Sequence, residues 1–259
     1  MGEGKPRVAL ITGAAQGIGK EVARRFAQEG FFVALLDRNV RNLHAVEESL
    51  KSEHYQAKAF SVDITKSKDV EETIDDIERN IGPIECLANV AGVLRLGKAV
   101  ELSDEDWAET FAVNTTGVFV MSRTVSRYMI NRRRGSIVTV SSNAGHMPRI
   151  DMAAYASSKA AATMFTKCLG LELAQFGIRC NIVAPGSTNT KMLKLLWQDE
   201  KGEENVIKGS LETYKTGIPL HKIATPSDIA EAVLFLSSDK AGHITMNSLC
   251  VDGGATLGV

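Results

Sequence analysis

Val8-Ala9-Leu10-Ile11-Thr12-Gly13-Ala14-Ala15-Gln16-Gly17-Ile18-Gly19 joins a short apolar run to a glycine-spaced turn, which opens into an amphipathic stretch. An apolar run closed by glycine reads as a buried strand, and Gly17–Gly30 after it reads as a helix. Three glycines at such a junction let backbone N–H groups and a helix N-terminus approach a pyrophosphate, whose charge the helix dipole favours. The spacing is Gly-x-x-x-Gly-x-Gly, not the Gly-x-Gly-x-x-Gly of the commoner dinucleotide turn. Asp37 closes the next apolar run, 18 residues after Gly19. An acid there can accept hydrogen bonds from both adenosine ribose hydroxyls and repels a 2′-phosphate. The expected cofactor is therefore NAD rather than NADP, with Arg38 beside Asp37 as a counterweight.

Outward from this turn the pattern repeats. Val8–Thr12, Phe32–Leu36, Ala57–Val62, Ile84–Asn89, Ser136–Ser141, Ile178–Ala184 and Ser248–Val251 read as buried strands. Helix-length segments lie between them, among them Val40–Ser52, Lys66–Ile81, Ala153–Phe176 and Pro226–Ser237. Right-handed crossovers between parallel strands place helices on both faces of a sheet. The expected fold is α/β, a Rossmann-type doubly wound parallel sheet of seven strands in a single domain over residues 1–259. Gly30 and Gly177 are placed to end helices. Residues 187–217 are polar and less periodic, and an insertion at a carboxyl strand end is a natural lid.

Composition narrows the function classes. The 259 residues hold 30 Lys and Arg against 31 Asp and Glu, a net charge of −1, which argues against field-driven nucleic-acid binding. The longest apolar run, Phe31 to Leu36, is far short of the ~20 residues of a membrane helix. Val8–Ile11 is too short for a signal-peptide core, and Pro6 does not suit myristoylation after Met1-Gly2. The expectation is a cytoplasmic protein with no nucleic-acid or membrane partner. Cys86, Cys168, Cys180 and Cys250 show no paired or metal-ligand spacing and read as buried thiols. His44 and His54 read as surface groups, His146 as a candidate substrate contact, and His221 and His243 lack a metal-binding cluster. No metal is expected. Arg132-Arg133-Arg134 reads as a solvated helix end.

Tyr155 and Lys159 are four residues apart and share one face of a helix. A phenol with a pKa of ~10 needs ~3 units of help, or ~4 kcal/mol, to act as a base at neutral pH. A neighbouring ammonium and a cationic nicotinamide supply help of the right sign. Ser142, at the end of the preceding strand, can bond the same substrate oxygen.

Together these residues resemble the short-chain dehydrogenase/reductase family over essentially the whole chain. Thr12–Gly19 is similar to its cofactor turn, which implies contacts from Gly13, Gln16, Gly17, Ile18 and Gly19. Asp63 matches the acid that meets the adenine, and Asn89-Val90-Ala91-Gly92 resembles the family's strand-end segment, with Val90 in place of a second asparagine. The resemblance implies a catalytic set of Asn114, Ser142, Tyr155 and Lys159, with Tyr155 and Lys159 also touching NAD. Pro185, Gly186, Thr188 and Thr190 correspond to the segment that holds the nicotinamide carboxamide. Further segments, including Ala91–Arg95, Met147–Arg149 and Pro185–Met192, resemble one branch of the family, whose small-molecule substrate is a carboxylated cyclohexadiene diol. That likeness implies NAD-dependent oxidation and a homotetramer. The acid needs a cation, and Arg95 and Arg149 are the expected partners beside Ser142. Lys191, Lys208 and Lys215 in the lid come next. A reductase of carrier-bound ketoacyl groups is the rival reading. It would favour NADP, against Asp37.

Overall fold

The alternation of buried runs and amphipathic segments becomes one layered sheet in the computed structural model, which describes residues 5–195, 197 and 201–258. The strands are β1 (Val8–Thr12), β2 (Phe32–Asp37), β3 (Ala57–Ser61), β4 (Ile84–Asn89), β5 (Gly135–Val140), β6 (Ile178–Pro185) and β7 (Ser248–Val251). All pair in parallel, in the order β3-β2-β1-β4-β5-β6-β7. The strand order reverses between β1 and β4. A cleft opens there at the carboxyl ends, because the chain leaves the two strands toward opposite faces.

β1 is buried along its whole length, so it carries no polar alternation. Its Ala9 and Ile11 pack with α1 (Gly17–Gln28), α2 (Val40–Ser52) and α9 (Pro226–Ser237) on one face. Val8 and Leu10 pack on the other with α3 (Ser67–Asp76), α5 (Val118–Arg132) and the end of α6 (Ala153–Leu173). Helix ends follow local chemistry. Thr225 and Asp228 form a reciprocal capping box at the start of α9, with Pro226 in its first turn. Gly30 and Gly177, at φ of 78° and 70°, follow α1 and the single 3₁₀ turn after α6.

The structure departs from the sequence reading in several places. The expected continuous helix to Ile81 ends at Asp76 and finishes as a π-helical turn, Ile77–Ile81. Two helices outside the segments named above are present, α4 (Asp104–Phe111) and α5, joined by a π-helical turn at Ala112–Gly117. The 187–217 stretch is not irregular throughout. It contains α7 (Lys191–Lys194) and α8 (Gly202–Lys208), and reciprocal backbone bonds of 2.9 Å join Ser210 and Lys215. Positions 196 and 198–200 of that stretch lie outside the described residues, as do Met1 and Gly2. Arg132 is not simply solvated: it bonds Glu78 at 2.7 Å and the Ile84 carbonyl at 2.8 Å, tying α5 to β4. Cys86 and Cys180 are buried with thiols pushed up to about 12 by desolvation, whereas Cys168 is exposed, against expectation.

Candidate active site

A cleft of about 1210 Å³ runs along the carboxyl ends of the strands, large for one small ligand and suited to a dinucleotide with a substrate. Gly13, Gln16, Gly17, Ile18 and Gly19 form its floor near β1, with Asp37, Arg38 and Asp63 at one end. Gly13 and Gly19 are dictated by space, and Gly17 by its φ of 53°. A Cβ on Gly13 would stand 2.8 Å from the Ala91 Cα, and one on Gly19 would stand 2.1 Å from the Gly13 carbonyl oxygen. No side chain caps α1 at Gln16, so its N-terminal dipole faces the cleft free to meet an anion. Asp37 is fixed by two backbone donors: Ala15 N–H bonds Oδ2 at 3.1 Å and Asn39 N–H bonds Oδ1 at 2.9 Å. Asp63 is partly buried, which raises its pKa. Bonds from the Thr65 N–H and hydroxyl and the charge of Arg38 outweigh this and hold it below the usual range. The cradle, the open helix end and the acid on β2 fit a nicotinamide dinucleotide.

The catalytic half is assembled by β5, α6 and a seam of hydroxyls between them. Thr166 bonds Thr139 at 2.9 Å, and Ser141 bonds Thr163 at 2.8 Å and the Lys159 carbonyl at 3.1 Å. The seam fixes the middle of α6 against the end of β5, and with it Lys159 and Tyr155, one and two turns earlier, against Ser142. The Ser142 Oγ accepts from Ala144 N–H at 3.1 Å, which leaves its proton to donate toward the cleft. Burial pushes the Tyr155 phenol up, and a bond from Ser142 pulls it part of the way back. Lys159 is 4% exposed, and burial pushes its pKa down to about 8. Its Nζ donates to the Val140 carbonyl at 2.9 Å and stands 5.9 Å from the centre of the Tyr155 ring. An ammonium with that pKa is still mostly charged at neutral pH, and its charge has the sign that would favour a phenolate nearby.

Most residues expected to touch the cofactor line the cleft, including Ala91, Gly92, Tyr155, Lys159, Pro185, Gly186, Thr188 and Thr190. Asn89 does not. Its amide donates to Ser122 at 2.9 Å inside the core, so it anchors β4 to α5. Asn114 is fully buried in the π-helical turn behind the cleft. Its side chain accepts from Val93 N–H at 2.8 Å and donates to the Val93 carbonyl and Ser158 at 2.9 and 3.0 Å. Through these bonds it positions Gly92–Val93 and α6. The hydroxyl seam and the turn were missed because their partners lie far apart in the chain.

Arg95 corrects the sequence reading. Its Nη2 and Nε bond Glu109 Oε2 at 2.6 and 3.1 Å, its Nε lies 3.3 Å from Asp106, and it is absent from the residues that line the cleft. Its charge is already met by two carboxylates of α4. Arg149 does line the cleft, with no side-chain bond or ion pair among the described residues. Lys215 lines it too and reaches solvent. The cleft walls desolvate its ammonium and the Arg149 charge repels it, so its pKa is lowered. Lys191 is also at the cleft, whereas Lys208 is exposed and paired with Glu204. His146 bonds Ser248 at 3.0 Å and serves the β7 contact, not the cleft. No cluster of His, Cys, Asp and Glu among the described residues has the make-up of a metal site.

A doubly wound sheet, a glycine cradle at its switch point and a Ser-Tyr-Lys set on β5 and α6 define a short-chain oxidoreductase. The chain belongs to the short chain dehydrogenase family, which it matches over residues 7–201. It is 64% identical over 257 residues to the 2,3-dihydro-2,3-dihydroxybenzoate dehydrogenase of Bacillus subtilis (strain 168), covering 99% of this chain and 98% of that one. It is 42% identical to the protein of the same name from Escherichia coli (strain K12), covering 96% of each. Among solved structures it is similar to a gluconate 5-dehydrogenase from Burkholderia cenocepacia J2315 in complex with NADP and tartrate. That match has a TM-score of 0.90 and 30% identity, and covers 98% of this chain and 96% of the other.

Proposed function

We propose that this chain oxidises 2,3-dihydro-2,3-dihydroxybenzoate to 2,3-dihydroxybenzoate with NAD⁺, a step that supplies a catechol acid for siderophore synthesis. Likeness along nearly the entire chain to a dehydrogenase of that name carries the reading. The cleft supports it, because Arg149, which has no side-chain ion pair among the described residues, shares it with Tyr155, Lys191 and Lys215. Tyr155 takes the proton of a ring hydroxyl, Ser142 donates to the same oxygen, and Lys159 favours the phenolate form of Tyr155. NAD⁺, when bound, accepts the hydride from the carbinol carbon. The ketone left behind tautomerises to the aromatic catechol, which draws the reaction forward. Arg149 meets the carboxylate, and the 187–217 segment acts as the lid that brings Lys215 toward it.

Asp37 stands for NAD⁺ over NADP⁺ by at least ~10-fold, or about 1.4 kcal/mol. Exposed Phe119, Met164 and Leu171 on α5 and α6 give a second copy an apolar face to cover, consistent with a homotetramer. No helix among the described residues is long and apolar enough to cross a membrane. The test is reduction of NAD⁺ with the dihydrodiol, measured beside NADP⁺ and beside an acetoacetyl thioester with NADPH. Turnover of the diol with NAD⁺ is expected. Turnover confined to the thioester and NADPH would replace this reading with that of a ketoacyl reductase.

A further inference from the structure

Arg38 sits where an arginine can serve a 2′-phosphate, directly after the acid that ends β2, and it lines the same end of the cleft. Its surroundings oppose that use. Its Nη2 lies 3.8 Å from Glu109 Oε1 on α4, and its charge also acts on Asp63. Glu109 is not free to follow a departing arginine, because its second oxygen is held by Arg95 at 2.6 and 3.1 Å. Arg95 is itself steadied by Asp106 at 3.3 Å. A chain of alternating charge thus runs from α4 to the adenosine end of the cleft, and it does not include Asp37. It gives Arg95 a purpose other than the substrate contact expected of it.

We propose that Glu109, braced by Arg95, withholds Arg38 from a 2′-phosphate and is a positioning residue for cofactor specificity. The proposal rests on the NAD reading above and adds a second barrier to the repulsion from Asp37. Glu109 pairs with Arg38 and is not among the cleft-lining residues, so its effect on the cofactor is exerted through the arginine.

The experiment compares kcat/KM for NADP⁺ and NAD⁺ in the wild type, Glu109→Gln, Arg38→Ala and the double variant. Direct titration with 2′,5′-ADP gives a reading independent of turnover. A partly exposed ion pair contributes at most about 1 kcal/mol, so Glu109→Gln should raise the NADP⁺/NAD⁺ ratio about two- to five-fold. Affinity for 2′,5′-ADP should rise in parallel, and both gains should vanish when Arg38 is alanine. An unchanged ratio overturns the proposal. So does an equal gain in the Arg38→Ala background, which would mean that Glu109 repels the phosphate directly. Wild type that prefers NADP⁺ rejects the cofactor reading itself, a result visible before any variant is made, and the withholding role falls with it.

Discussion

Tyr155 and Lys159 illustrate how burial and close neighbours change the acidity of two ordinary side chains. Burial alone makes the phenol a poorer acid, and a bond from Ser142 works against that. Tyr155→Phe should keep cofactor affinity, followed by fluorescence titration, and lose about 10²- to 10⁴-fold in kcat. Residual activity above about a tenth of wild type would remove Tyr155 from the role of base. Lys159→Ala should be severely impaired, and its remaining activity should move to higher pH as the phenolate loses its cation. At the substrate end, Arg149→Ala should raise KM for the acid about 10- to 100-fold, in line with ~1.5–3 kcal/mol for a charged hydrogen bond. The uncharged carboxamide analogue should lose far less, and NAD⁺ binding should not change. Equal losses for acid and amide would place the carboxylate elsewhere, with Lys215 the next residue to replace.

At the scale of elements, the catalytic geometry is the geometry of β5 against α6. Small and hydroxylated residues on α6 let it lie close to the sheet, and Thr163 and Thr166 meet Ser141 and Thr139 across the gap. Thr163→Val keeps the shape and removes one of these bonds from a buried hydroxyl, at a cost of about 1–2 kcal/mol. Chemical denaturation should report that loss. Steady-state kinetics should show a lower kcat with KM for NAD⁺ little changed, because the cradle on α1 is a separate element. A fall in NAD⁺ affinity without a change in kcat would contradict the positioning role of the seam. The π-helical turn between α4 and α5 plays the same part from the other side. Its wide loop places Asn114 deep enough to hold Val93 and Ser158 together. Wide turns of this kind recur where a helix is bent to serve a site.

Across the whole molecule, the site is bought with stability. Lys159 ionises near 10.5 when unfolded and at about 8 in the fold, so below pH 8 its charge opposes folding by roughly 3 kcal/mol. Between pH 8 and 10.5 the unfolded chain binds the proton that the folded one has released, and the contribution of this group to stability rises with pH. Lys159→Met should therefore unfold at higher denaturant than wild type at pH 7, without cofactor, and should lack that alkaline gain. A variant less stable than wild type at pH 7 would show that the bond to the Val140 carbonyl outweighs the burial of charge.

The sequence by itself determined the sheet, its parallel sense and the glycine turn after the first strand. Each rests on neighbours in the chain: a buried strand needs a continuous apolar run, a glycine cradle needs its spacing, and Tyr155 and Lys159 share a helix face by periodicity alone. Boundaries of the strands Val8–Thr12, Ile84–Asn89 and Ser248–Val251 were legible to the residue for that reason. What only the tertiary structure decided involves partners far apart in sequence. Arg95 and Arg149 look alike as loop arginines, and nothing local says that Asp106 and Glu109 on α4 fold onto the first while the second has no ion pair among the described residues. Asn89 likewise reads as a cleft residue until the packing turns its amide inward, and the bonds by which Asn114 supports Val93 and Ser158 have no local sign. Charge pairing and burial are properties of the folded neighbourhood, and a linear pattern does not contain them.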